Sequence, residues 1–149
     1  MTDNISETLH KLISTYKGEL KNAISQQNVD LPITYIRSLK CIDKITDCSA
    51  KDISIRLRLD KSQVTRIIKK MLADGYVKKM PHPNNHRSQA LSLTDLGESV
   101  IALIAKIDQE TKSKMAVALT DEQIKSFLTV ANIMIDNLSK DLVSIKESE

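Results

Sequence analysis

The chain has 149 residues, of which 41% are hydrophobic and 3% aromatic, and its formal net charge is +3. This length is typical of one domain of about 100–200 residues, and the apolar share excludes a disordered chain or a peptide-sized module. Three Gly and three Pro argue against an all-β fold of many hairpins and against Gly-rich phosphate loops, because both need these residues at their turns. We therefore expect long helices.

Two amphipathic helices are predicted in the first 45 residues. Apolar residues recur at steps of three and four over residues 5–24, which is the spacing of one helix face. Pro32 then stands where a first helical turn tolerates proline. A second helix is expected to run to about residue 45, with these residues facing inward: Tyr35, Ile36, Leu39 and Ile42.

A helix-turn-helix is predicted next. Ser49 with Asp52, and Asp60 with Gln63, each have the spacing of a capping box, so a third and a fourth helix begin there. Gly75 should end the fourth helix, since glycine adopts the left-handed backbone without a Cβ penalty. Two short helices joined by a tight turn, the second one basic, are typical of this motif. The apolar stripe of the fourth helix comprises Val64, Ile67, Ile68, Met71 and Leu72.

A β-hairpin is predicted after Gly75, where the hydrophobic period changes to about 2 over residues 76–80 and 89–93. Leu91 and Leu93 should pack inward, while Ala90 and Ser92 should face out. A hairpin directly after a helix-turn-helix is a wing. The predicted fold class is therefore mainly α with a small β-hairpin wing.

Two further long helices complete the chain. Thr94 is expected to cap a helix that reaches about residue 117, and Thr120 with Gln123 to cap another. These helices and the first one have wide apolar faces that need a partner, and a second copy of the chain is the simplest one. We expect residues 1–30 and 95–149 to form a helical dimerisation region, and residues 31–94 the winged helix-turn-helix.

Positive charge is concentrated in the winged region. Residues 51–90 carry a net charge of +7, between a neutral segment 1–50 and residues 91–149 at −4. Such a block is typical of an element that binds nucleic acid, with a solvated face as the alternative.

The order of these elements resembles the MarR family of bacterial transcription regulators. Its motifs are residues 60–77, the wing segment 84–97 and residues 119–123. The family's wing usually reads Asp-any-Arg and then Leu-Thr-any-any-Gly. The matching residues are Arg87, Leu93, Thr94 and Gly97, whereas Asn85 stands where the family usually has Asp. The resemblance implies an obligate homodimer whose terminal helices pair, and a winged helix-turn-helix that reads an operator in double-stranded DNA.

The outward face of the fourth helix and the wing are expected to contact DNA. Residues near the helix N-terminus should meet base edges in the major groove. Arg87 suits the negative potential of a minor groove, and Lys79 either meets a phosphate or only solubilises its strand. The expected DNA-binding residues are Ser62, Gln63, Thr65, Arg66, Lys69, Lys70, Lys78 and Arg87.

A ligand-responsive repressor is the function that the resemblance implies. Many relatives bind phenolic or other aromatic anions between the dimerisation and winged regions, and Tyr16, Tyr35 and Arg37 are the nearest candidates here. The alternative is a winged-helix architectural or antirepressor protein without a specific operator. Sequence-specific regulators prefer their site about 10³-fold or more over random duplex, and the alternative class does not.

No catalytic, metal or cofactor site is expected. Ser/His/Asp, Cys/His and phosphate-loop patterns are not found, and His82 and His86 lack a neighbouring Cys or carboxylate to complete a zinc set. Cys41 and Cys48 should be free structural thiols in a reducing cytosol, with oxidant sensing as the alternative. The polar start and the short apolar runs, far below the about 20 residues of a spanning helix, predict a cytoplasmic protein without a membrane partner.

Overall fold

The computed structural model describes residues 4–147, and the side chains of residues 4–140. Its elements confirm a mainly helical fold with one antiparallel hairpin. Two compact units are distinguished, the first ending at Thr111 and the second beginning at Lys112. The elements in chain order are α1 (Ile5–Ser25), α2 (Ile33–Lys44), α3 (Ala50–Leu57), α4 (Lys61–Ala73), β1 (Val77–His82), β2 (Asn85–Leu93), α5 (Asp95–Met115) and α6 (Asp121–Glu147).

The predicted helix starts are confirmed in atomic detail. The Ser49 hydroxyl accepts from the Asp52 backbone N–H at 3.2 Å, and Asp52 accepts from the Ser49 N–H at 2.9 Å. The same reciprocal pair joins Asp60 and Gln63 at the start of α4, and Thr120 and Gln123 before α6. Each pair satisfies two backbone donors that a helix start would otherwise leave without partners.

The turn between α3 and α4 and the end of α4 both use left-handed backbone. Arg58, after α3, has a φ of 55°. Gly75 has a φ of 80° just after α4, as predicted, and glycine adopts this conformation without strain. These two turns fix where α4 begins and ends relative to α3 and β1.

The core of the first unit is built from α1 to α5. The four residues of α2 predicted to face inward are all buried, and Leu39 is fully so. The first part of α5 contributes Val100, Ile104 and Ile107 to the same core, so this stretch is covered within its own unit. Other members are Leu20, Ile24, Ile53, Val64, Met71 and Leu91.

The hairpin is longer than predicted, with only Pro83 and Asn84 between its strands. Val77 pairs with Leu93 and Pro81 with Gln89, but His82 pairs with Asn85. Residues 86–88 of β2 therefore have no pairing partner on β1 and form a bulge between the last two of these pairs. Such a bulge bends a strand and redirects its side chains.

The prediction that Ala90 faces solvent was wrong, because Ala90 is buried. Ala90 pairs with the much larger Met80, and a single methyl group is easily shielded by larger neighbours on the same face. Ser92 is only partly exposed, and its hydroxyl oxygen is buried. An isolated bridge between Cys48 and Leu91, which the sequence pattern did not reveal, attaches the segment before α3 to β2.

Both units expose apolar side chains. In the first unit, α1 exposes a run of them, and Ile5, Leu9 and Ile13 are 42–53% exposed. In the second unit, the exposed apolar residues of α6 are Phe127, Leu128, Val130, Ile133, Met134, Ile135 and Leu138. Leu142 and Ile145 continue the apolar pattern of this helix in the sequence, but they lie outside the side chains that the structure describes. Within the described residues, no helix combines the length and apolarity needed to cross a membrane.

Candidate nucleic-acid interface

The outward face of α4 has the composition predicted from the sequence. Its apolar stripe turns toward the core, with Val64 and Met71 buried. The six outward residues are all exposed: Ser62, Gln63, Thr65, Arg66, Lys69 and Lys70. A helix with such a face fits the major groove of DNA.

Some polar groups at the start of α4 are already engaged within the helix. The Ser62 hydroxyl donates to Asp60 at 2.8 Å, and the Thr65 hydroxyl donates to the Lys61 carbonyl at 2.8 Å. The Gln63 side-chain oxygen accepts from the Asp60 N–H at 3.3 Å. A bidentate contact with adenine needs both the oxygen and the amide of glutamine, so Gln63 would have to leave the cap to make one.

Asp60 stays ionised at the start of α4. Hydrogen bonds from the Gln63 backbone N–H and the Ser62 hydroxyl lower the pKa of its carboxyl group. Its negative charge stabilises the positive end of the helix dipole. Asp60 therefore acts as a helix cap and not as a DNA contact, since phosphates would repel it.

The bulge in β2 determines where Arg87 lies. The Asn85 side-chain oxygen accepts from the Arg87 backbone N–H at 3.2 Å. Asn85 thereby holds the backbone of the bulge at the position where the MarR pattern usually has Asp. Arg87 is exposed, and its side chain borders a groove toward α4.

A groove of about 760 Å³ lies between α3, α4 and the hairpin. Val64, Ile68 and Leu91 form part of its apolar floor. Among the described residues that line it, none is acidic. Its cationic side chains are Lys51, Lys61, Lys69, Lys79 and Arg87. A concave surface with only positive charge attracts and positions a polyanion.

The groove contains three of the eight predicted DNA-binding residues: Thr65, Lys69 and Arg87. The other five are exposed but do not line it: Ser62, Gln63, Arg66, Lys70 and Lys78. Sequence reasoning missed Lys51 and Lys61 as site residues. Both belong to the basic block, and Lys51 lies in the first turn of α3, but their convergence on one groove depends on the packing of α3 against α4.

A second cavity, of about 680 Å³, lies between α1, α2, α3 and α5 within the first unit. Its walls include apolar side chains such as Leu20, Ile36 and Ile104. Its cationic residues are Lys17, Arg37, Lys40, Lys44 and Arg56. Lys40 forms an ion pair with Asp108, which joins α2 to α5.

Only two of the three predicted effector residues line the second cavity. Tyr16 and Arg37 line the second cavity, whereas Tyr35 does not. Tyr35 is buried, and its hydroxyl donates to Asp74 at 3.2 Å. Burial and the neighbouring Asp74 carboxylate raise the pKa of the Tyr35 phenol, so it remains protonated and donates a hydrogen bond.

Both cysteines are buried free thiols. Burial raises the pKa of Cys41, and burial together with Asp52 raises that of Cys48 to about 12. Because the thiolate is the reactive form, these surroundings disfavour reaction with oxidants. In the wing, His82 accepts from the Asn84 N–H through Nδ1 at 3.1 Å, so this histidine stabilises the hairpin turn.

A helix-turn-helix followed by a hairpin, with a cationic groove between them, defines a winged helix-turn-helix protein. Residues 31–89 match the model of the MarR family. The transcriptional regulator BilQ of Clostridioides difficile (strain CD3) is 30% identical over 95 residues, which cover 64% of each chain. The match thus spans less than two thirds of that relative. Residues 31–89, which carry most of the winged helix-turn-helix, are therefore similar to the MarR family.

Solved structures show the same fold at low sequence identity. A mutant of MarR from E. coli in complex with operator DNA has a TM-score of 0.78 and 16% identity, with 89% of this chain and 94% of that one covered. Bordetella bronchiseptica BpsR, whose DNA binding is regulated by 6-hydroxynicotinic acid, has a TM-score of 0.77 and 14% identity, with coverage of 91% and 96%. At these sequence identities, the similarity establishes the fold alone.

Proposed function

We propose that this protein is a dimeric, sequence-specific DNA-binding transcriptional regulator and that it responds to a small anionic ligand. The observation that carries the proposal is the groove between α3, α4 and the hairpin, in which five cations converge and, among the described lining residues, no carboxylate does. The exposed face of α4 beside it is rich in residues that read bases. The similarity of residues 31–89 to the MarR family supports the same function.

The proposal assigns different tasks to α4 and the wing. Ser62, Gln63, Thr65 and Arg66 read base edges, whereas Lys69, Lys70 and Lys78 contact phosphates. Arg87, held in the β2 bulge, enters the minor groove. Lys51, Lys61 and Lys79 add phosphate contacts inside the groove.

Homodimerisation is part of the proposal. The apolar faces of α1 and α6 are exposed in a single chain, and surfaces of this kind usually mark an interface. We infer that residues 1–30 and 95–149 hold two copies together, while residues 31–94 carry DNA binding. Light scattering should give twice the mass of one chain at micromolar concentration, and a monomer mass would contradict the inference.

Selection from a random pool of DNA duplexes tests sequence specificity. A two-fold dimer places two recognition helices about one helical turn, or about 34 Å, apart, so the recovered sequence should be near-palindromic. Affinity for it should exceed that for a scrambled duplex about 10³-fold or more. An architectural or antirepressor protein would show no such preference.

Two arginine variants test the division of tasks. Arg66→Ala should cost about 1–3 kcal/mol on the selected duplex and relax discrimination at one base pair. Arg87→Ala should weaken binding to the selected duplex and to an A·T-rich scrambled duplex by similar factors, since the proposed contact of Arg87 depends on groove width and backbone charge. Equal losses on both duplexes for Arg66→Ala would refute base reading by Arg66.

The second cavity is the proposed effector site. Tyr16 and Arg37 lie at it, and cations surround apolar walls, which suits a ligand with a ring and an acidic group. Tyr35 is assigned no ligand contact, because its hydroxyl is bonded to Asp74. Binding of an aromatic carboxylate that shifts DNA affinity would support this part of the proposal.

A further inference from the structure

The turn that joins α4 to β1 is held from two sides. From α2, the Tyr35 hydroxyl donates to Asp74 at 3.2 Å. From the start of α5, the Thr94 hydroxyl donates to the Gly75 carbonyl at 2.6 Å, and the Thr94 N–H to the Tyr76 carbonyl at 3.0 Å. The end of α4, the proposed recognition helix, is therefore attached to α2 and to the residue that precedes α5.

The contact with Tyr35 combines a buried donor with an exposed acceptor. Tyr35 is only 2% exposed, and its ring packs edge-on against Tyr76 with 5.9 Å between centroids. A buried hydroxyl without a partner is costly, so Tyr35 favours the arrangement in which Asp74 stays within reach. Asp74 caps α4 and is exposed, with the Lys70 ammonium 3.5 Å away.

The same turn of α2 also forms a wall of the second cavity. Thr34 and Ile36, on either side of Tyr35, line that cavity. Successive helix residues point in directions about 100° apart, so one turn of α2 contacts both the cavity and the end of α4. A displacement of α2 would therefore shift Asp74 through its hydrogen bond with the Tyr35 hydroxyl.

We propose that Tyr35 is a positioning residue, whose hydrogen bond to Asp74 sets the orientation of α4 for DNA and connects the cavity wall to the recognition helix. This inference rests on the proposed DNA-binding function. Tyr35 acts through Asp74 and does not itself contact DNA or ligand.

Variants of Asp74 separate positioning from charge. Removal of a carboxylate next to Lys70 should, on charge alone, strengthen binding to DNA. If Tyr35 positions α4 through Asp74, Asp74→Ala should instead lower the affinity for DNA, by about fivefold. Asp74→Asn keeps an oxygen that accepts from Tyr35, so its affinity should equal or exceed that of the wild type. Because Asp74 is exposed, neither substitution leaves a cavity in the core.

Variants of α2 provide the second arm. Tyr35→Phe keeps the ring and removes only the hydroxyl, and its affinity should fall about fivefold. In the Asp74→Ala background, Tyr35→Phe should have no additional effect on affinity, because the contact is already absent. Ser38→Ala is the matched control: Ser38 is also buried on α2, but its hydroxyl bonds within α2, to the Thr34 carbonyl at 2.9 Å.

The measurement is fluorescence anisotropy on the selected duplex over a series of salt concentrations. The slope of log affinity against log salt should stay at the wild-type value in Tyr35→Phe, because no phosphate contact is lost. Wild-type affinity for Tyr35→Phe or Asp74→Ala would overturn the inference, as would equal losses in Ser38→Ala. A wild-type protein that prefers no duplex would instead refute the proposed function, which distinguishes the two failures.

Discussion

The groove beside α4 and the cavity between α1, α2, α3 and α5 have similar sizes and five cations each, yet their chemistry differs. The groove has no acidic residue among its described lining and lies beside the exposed face of α4. The cavity includes Asp108, paired with Lys40, and more of its lining residues are apolar than in the groove. The first suits an extended polyanion, and the second suits a compact amphipathic anion. Equal numbers of cations therefore do not imply the same ligand.

The cations of the two sites also come from different parts of the chain. All five in the groove belong to residues 51–90, the block with a net charge of +7. Four of the five in the cavity come from residues 1–50, which are neutral overall. A charge count along the sequence detects the groove but not the cavity, because only folding separates the cations of the cavity from their acidic neighbours in the sequence.

The frameworks of the two sites should differ most in their tolerance of an added methyl group. In Gly97→Ala, next to the base of the wing, the new Cβ would lie 2.1 Å from the Tyr76 carbonyl oxygen. The backbone would have to shift, and we expect a loss of about 2–3 kcal/mol or more in the free energy of unfolding. Gly18→Ala, on α1 beside the cavity, meets no atom within 4 Å and should gain about 0.5–1 kcal/mol. Urea unfolding measures both, and a Gly97→Ala variant as stable as the wild type would contradict the packing at the wing.

Salt dependence should distinguish the cations of the groove from those of the cavity. The double variant Lys51→Ala with Lys79→Ala should lower affinity for the selected duplex about tenfold or more. Because each of the two copies in the dimer loses two contacts, the slope of log affinity against log salt should fall by about 3.6, or 0.9 per contact. The control, Lys17→Ala with Lys44→Ala, changes the net charge equally but at the cavity. Its slope should match that of the wild type, and a similar reduction in both variants would mean that net charge alone governs binding.

Aromatic carboxylates should bind the cavity and not the groove. The probe is benzoate, the simplest aromatic carboxylate. Arg37→Ala should weaken binding of this probe about tenfold, because a charge-assisted hydrogen bond is lost. Lys61→Ala, in the groove, should leave the affinity unchanged. Isothermal titration calorimetry measures both affinities. If only Lys61→Ala weakened binding, the carboxylate would bind in the groove and not in the cavity.

The Lys40–Asp108 ion pair should matter little for stability but measurably for the ligand. Both side chains are more than one-third exposed, so Asp108→Asn should cost less than about 1 kcal/mol in thermal or urea unfolding. The same change removes the negative charge beside the cavity's cations, and carboxylate affinity should rise about twofold. Weaker carboxylate binding in Asp108→Asn would show that Lys40 must be held by Asp108 in order to act.

Much of the fold was predictable because its signals are local. Both capping boxes of the helix-turn-helix, the glycine after α4 and the buried residues of α2 follow from spacings of three or four residues. Ala90 was predicted incorrectly, since an alternating pattern does not reveal how larger neighbours cover a small side chain. The β2 bulge was not predicted either, because pairing register is decided between strands.

The sequence by itself determined the helices, the wing, the basic block and the exposed face of α4, since periodicity, capping and charge act over short distances along the chain. Tertiary structure alone decided which cations share a surface. It brought Lys51 and Lys61 into the groove, gathered Lys17 and Arg37 around an apolar cavity, and placed Tyr35 against Asp74, 39 residues away. Such contacts depend on how helices pack in space, and the spacing of residues along one helix does not encode that packing.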